Sequence, residues 1–154
     1  MKNDEYLRVR IAPDSDGTAM LSAQVASTGF AGRGEAWFGL EELAVFSCQL
    51  KAFPLSQSDP PHISGGFWSK EKFGVLEQVH LSITAYQIGS LGQVGIRVEV
   101  ANPPLFPNDR LESQNIAKIE LMTSYAALER FANDLEKLLE SDLEEAVLSG
   151  DRLT

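Results

Sequence analysis

The sequence predicts an α+β domain: a predominantly antiparallel sheet covered on one face by two helices. Three observations predict it. Short segments alternate apolar and polar residues with the period of a half-buried strand, two others carry apolar residues at helical spacing, and the order is strands, helix, strands, helix. A chain of 154 residues fits a single domain, 1–154. At that size a folded chain buries roughly 70% of its unfolded surface. The 44% hydrophobic content is enough for an ordinary core.

Residues 6–12 alternate Leu7, Val9 and Ile11 with Arg8 and Arg10, and Asp14-Ser15-Asp16-Gly17 then turns the chain. Ala19, Leu21, Ala23 and Val25 share one face of the next strand. Gly29, Gly32 and Gly34 loosen the chain before a short strand, Glu35-Ala36-Trp37-Phe38. From Leu40 the period changes. Leu40, Leu43, Phe46, Leu50 and Phe53 follow helical spacing, Glu41 and Glu42 suit the positive end of the helix dipole, and Pro54 stops it. A Pro/Ser-rich loop is expected through Gly65-Gly66.

Residues 77–101 read as a hairpin. Val79, Leu81, Ile83 and Ala85 face one way, Gly89-Ser90-Leu91-Gly92 turns, and Val94, Ile96, Val98 and Val100 return. Another strand is expected near 116–122, after a Pro-rich connection, 102–115, longer than ordinary hairpin loops. Thr123-Ser124 is an N-cap for a final helix whose stripe is Leu128, Phe131, Ala132, Leu135, Leu138 and Leu139. Leu143 and Val147 extend that spacing, and Gly150 is a natural stop. The polar sheet face would then carry Arg8, Arg10, Ser22, Gln24, His80, Ser82, Thr84, Arg97, Glu99, Lys118 and Glu120.

Composition narrows the function classes. The net charge of −9 disfavours a binder of the nucleic-acid backbone, which needs clustered Lys and Arg. It fits either plain solubility or a positively charged partner. The N-terminus has no apolar signal region and no apolar run approaches the ~18 residues of a membrane span, so a cytoplasmic protein is expected. Cys48 is the single cysteine, and its place in a helix near the apolar side makes it a structural residue. His62 and His80 stand at no spacing that ties them to a carboxylate or thiol. No Cys/His cluster, Ca-binding loop or phosphate loop is spelled, so no metal, no cofactor and no catalytic residue is expected.

One charge feature stands out. From Glu129 to Asp151 there are eight acids against two bases. Asp142, Glu144 and Glu145 would crowd the negative end of the helix dipole, each at a cost of about 0.3–1 kcal/mol. Either the end frays, or the acids are kept for a cationic partner. On the second reading the partner-binding residues are Glu136, Glu140, Asp142, Glu144 and Glu145, and the unusual length of the Pro-rich connection adds Asp109 and Glu112 as a second group.

The stretch Gly29-Phe30-Ala31-Gly32-Arg33-Gly34-Glu35-Ala36-Trp37-Phe38, followed by Leu43, Phe46, Leu50 and Phe53-Pro54, resembles small bacterial immunity proteins of the WapI type. The Gly92-Gln93-Val94 hairpin and the Leu/Phe-rich closing helix add to the likeness. The resemblance spans most of the chain and rests on core and turn residues. It implies a non-enzymatic immunity protein that binds and neutralises a cognate toxin of a polymorphic or contact-dependent inhibition system. Many such toxins are nucleases with basic substrate sites, which an acidic inhibitor can occlude by mimicking phosphate charge. Two other readings stay open: a small-ligand or accessory domain with a pocket between sheet and helices, and an enzyme using carboxylates or His80.

Overall fold

A computed structural model describes residues 5–103 and 114–150. Strands β1 (Tyr6–Pro13), β2 (Thr18–Ser27) and β3 (Phe30–Gly39) form an antiparallel meander. Helix α1 (Leu40–Gln49) follows, then β4 (His62–Trp68), β5 (Leu76–Ile88), β6 (Gln93–Ala101) and β7 (Ile116–Ser124). Helix α2 (Tyr125–Leu139) and the short β8 (Ala146–Ser149) close the described chain. The α+β class and the antiparallel pairing are those expected. The strands, however, divide between two four-stranded sheets, β3-β2-β1-β8 and β4-β5-β6-β7.

Local chemistry makes the turns. Thr28 and Gly29 both have positive φ in a two-residue connection between β2 and β3, the twist a tight hairpin requires. In the β1–β2 turn the Asp16 carboxylate accepts from the Thr18 hydroxyl at 2.6 Å and the Thr18 amide at 3.1 Å. Those bonds, the hydroxyl first, hold the Asp16 pKa below its usual value.

The two sheets share one core. Residues 32 to 38 of β3 cross the strands of the second sheet in succession. A Cβ on Gly32 would meet Val100 and Ala117, one on Gly34 would meet the His80 carbonyl, and Ala36 and Phe38 lie over Gly65. Strands thus cross between sheets instead of running alongside, the orthogonal form of sheet packing. Away from this crossing the sheets diverge, and the helices fill the gap. Phe131 and Leu135 of α2 and Leu43 and Phe46 of α1 meet Val9 and Leu21 of the first sheet and Ile83 of the second. The helices therefore cover the inner faces of both sheets and leave both outer faces open.

Three local expectations are corrected. The stretch around Ser64-Gly65-Gly66 is strand β4, not loop. Its pairing with β5 slips between Gly65 and Gly66, which leaves His80 as an extra residue; His80 is buried instead of lying on a polar face. Cys48 lies on the exposed side of α1, whose buried residues are Leu43, Phe46 and Ser47.

The final helix also stops earlier than its apolar spacing suggests. Ser141 has φ 64°, its amide donates to the Leu138 carbonyl at 3.0 Å, and the Asp142 amide donates to the Lys137 carbonyl at 2.8 Å. This pair of bonds is a Schellman stop. Beyond it the period is two, with Ala146 and Leu148 buried and Val147 and Ser149 exposed. Val147 therefore belongs to a strand paired with β1, and Leu143 to the turn before it.

Candidate functional site

The stop after α2 sets the geometry of the acidic segment. Glu140 caps the helix, and Asp142 and Glu144 follow in the turn that leads to β8; all three side chains are exposed. None of them takes part in an ion pair among the described residues. Glu136, one turn earlier, pairs with Lys51 just past α1. Glu145 points the other way. Its carboxylate accepts from Arg10 Nη2 at 3.1 Å and lies 3.6 Å from Arg8 Nε. The five acids are thus split between an outward ridge (Glu140, Asp142, Glu144) and two residues engaged by cations of the same chain. Asp109 and Glu112 lie outside the described residues.

The polar residues expected on one sheet face lie on two. On the outer face of the second sheet, His62, Thr84, Arg97 and Glu120 form one row across four strands, and Ser64, Ser82, Glu99 and Lys118 form the next. His62 Nδ1 is 2.7 Å from Thr84 Oγ1. The Tyr86 ring passes over Gly95, where any Cβ would strike it, and its hydroxyl donates to Glu120. Arg97 Nη2 donates to the same carboxylate at 3.3 Å. Burial, then the bond to Glu120, raises the Tyr86 pKa, so the phenol stays neutral there at physiological pH.

His80 has a structural environment. Its ring meets Phe67 edge-on with centroids 4.5 Å apart, and Nε2 is 3.0 Å from Gln78 Oε1. Burial lowers its pKa from the ordinary 6.5. The folded state therefore favours the neutral ring, and the stability this gives is complete above pH ~6.5 and lost as pH falls through the lower folded value. The expected result is that the urea midpoint drops between pH 7.5 and pH 5.5 by more in the native chain than in His80→Gln. Equal drops would show that His80 does not titrate on unfolding in that range.

Two features were not anticipated. Arg33 of β3 joins Arg8 and Arg10 around a trough of about 200 Å³ on the outer face of the first sheet, floored by Ser22 and Gln24. The β4–β5 hairpin presents Phe67, Trp68, Phe73 and Val75 to solvent. Its tip is ordered by the Ser69 hydroxyl, which accepts from the amides of Glu71 and Lys72, and by the Ser69 amide bonded to the Val75 carbonyl at 2.8 Å. No group of three or more His, Cys, Asp or Glu that could hold a metal ion occurs among the described residues. No described helix is long and apolar enough to cross a membrane.

Fold and surface together define a two-sheet α+β domain with charged outer faces. No family model, curated protein or solved structure matches the chain.

Proposed function

We propose that this chain is an immunity protein that binds a cognate bacterial toxin domain and neutralises it by occluding a basic surface. The observation that carries the reading is the ridge of Glu140, Asp142 and Glu144. Three exposed carboxylates lie within five residues, on a turn fixed by the backbone bonds that end α2. Exposed acids outside ion pairs add little to stability, but they accelerate association with a cationic site. The net charge of −9 acts in the same direction at longer range.

Surface plasmon resonance against the toxin domain encoded by the adjoining gene tests this. Reversing Glu140, Asp142 and Glu144 together to Lys is expected to slow association about tenfold or more at low salt, with a smaller difference at high salt where screening shortens the field. Circular dichroism should show an unchanged fold, because all three side chains are exposed. An unchanged association rate would remove the ridge from the interface, and the acidic-mimic mechanism with it. The alternative reading, a small-ligand or accessory domain, finds its best support in the arginine-lined trough.

A further inference from the structure

The trough on the first sheet follows from side-chain length. Register places Arg8, Gln24 and Arg33 in one row across β1, β2 and β3, and Arg10, Ser22 and Glu35 in the next. The central strand carries the shorter side chains, so arginines on either side wall a channel along it. Strands two apart are about 10 Å from each other, a gap that two guanidinium groups can close around one tetrahedral anion. Three cations thus face a cleft on a protein of net charge −9, so this patch runs against the charge of the whole chain.

Among the described residues the cations are not fully engaged. Arg33 makes no ion pair among the described residues. Arg8 stacks on the Tyr6 ring with its guanidinium carbon 5.0 Å from the centroid, and its buried Nε, 3.6 Å from the Glu145 carboxylate, makes no hydrogen bond among the described residues. A buried donor of this kind is costly to leave unmet. Among the described residues one carboxylate, that of Glu145, serves both Arg8 and Arg10, on the side of β1 away from Arg33.

The geometry points to a binding site for a phosphate group in this trough, held by Arg33 on one wall and Arg10 and Arg8 on the other. Ser22 Oγ and the Gln24 amide are the neutral donors of the floor. Guanidinium pairs favour carboxylate and phosphate alike. The presence of Glu145 separates the two. An incoming monocarboxylate only replaces like with like at Arg10, whereas a dianion adds charge opposite Arg33 and still satisfies Arg8 and Arg10. Glu145 is then an internal competitor that the ligand displaces. The phosphate is either free or part of a nucleotide.

Isothermal titration calorimetry at constant ionic strength, with inorganic phosphate, adenosine monophosphate and acetate as probes, tests the assignment. Saturable binding of phosphate or the nucleotide, and none of acetate, is expected. Equal affinity for the first two marks the phosphate group alone as the ligand, and tighter nucleotide binding extends the site to the nucleoside; both results support it. Arg33→Ala, at an exposed position, is expected to weaken binding about tenfold or more through loss of charge-assisted hydrogen bonds. Arg10→Ala should act in the same direction. Glu145→Gln should tighten binding, by up to about fivefold for loss of an exposed ion pair. Absence of saturable binding to both native protein and Glu145→Gln would overturn the assignment. So would affinity unchanged by Arg33→Ala, or acetate binding as tightly as phosphate.

Discussion

Phe131→Ala is expected to lower unfolding stability by about 3–5 kcal/mol. The side chain is 1% exposed on α2. It stands where α2, α1 and both sheets meet, beside Val9, Leu21, Phe46 and Ile83. The void already at this junction is only about 10 Å³, so the ring has no slack to share. Its removal opens a cavity that four elements would have to collapse into, and sheets fixed at their crossing cannot close easily. Leu135→Ala, one turn on, should cost about 2–5 kcal/mol for the same reason. For a domain of this size each kcal/mol shifts the melting temperature by roughly 2–4 °C, so Phe131→Ala should melt at least about 6 °C early by circular dichroism. Val45→Ala, at an exposed position on α1, is the control and should stay within about 0.5 kcal/mol. A loss under about 1 kcal/mol for Phe131→Ala would mean that α2 does not wedge the sheets apart.

The elements were legible in the sequence because their signals are local. Alternation in Leu7-Val9-Ile11 and the stripe from Leu128 to Leu138 each follow from burial on one side. How the sheets combine was not legible. A hairpin pattern fixes which neighbours pair, but says nothing about whether β3 continues into β4 or crosses over it. Gly32 and Gly34, read as loosening the chain, are instead the points where the sheets come closest. Strand β4 was hidden because His62-Ile63-Ser64-Gly65-Gly66 places glycines where a strand usually shows side chains. The acids after Glu140 did carry a structural signal. Asp142, Glu144 and Glu145 fit a helix C-terminus badly, and the helix has already ended there. The acidic ridge could be read from composition, whereas the arginine trough could not. Arg33 is far from Arg8 in sequence and meets it only because β2 lies between their strands.

Gly34→Ala is expected to be among the most damaging single-methyl additions to this fold. The new Cβ would collide with the His80 carbonyl oxygen and stand 3.0 Å from Val100 Cβ. The first obstacle is backbone, so no rotamer change removes it, and the two sheets would have to separate at their crossing. Overpacking of this kind costs about 1–3 kcal/mol, and the unyielding carbonyl places Gly34 at the upper end. Gly32→Ala meets only side chains, Val100 Cγ2 at 2.6 Å and Ala117 Cβ at 2.7 Å. Its loss should therefore be partly relieved by Val100→Ala, with a coupling of about 0.5–3 kcal/mol in the double-mutant cycle. The Gly34→Ala loss should be relieved much less, because trimming Val100 leaves the carbonyl in place. Gly29→Ala is the control for backbone strain alone: φ is +87° but nothing lies within 4 Å, so about 1–2 kcal/mol is expected. Urea denaturation of the variants checks all four statements. If Gly34→Ala were as stable as the native chain, β3 could not lie this close to the second sheet, and the crossing that defines the fold would have to be redrawn.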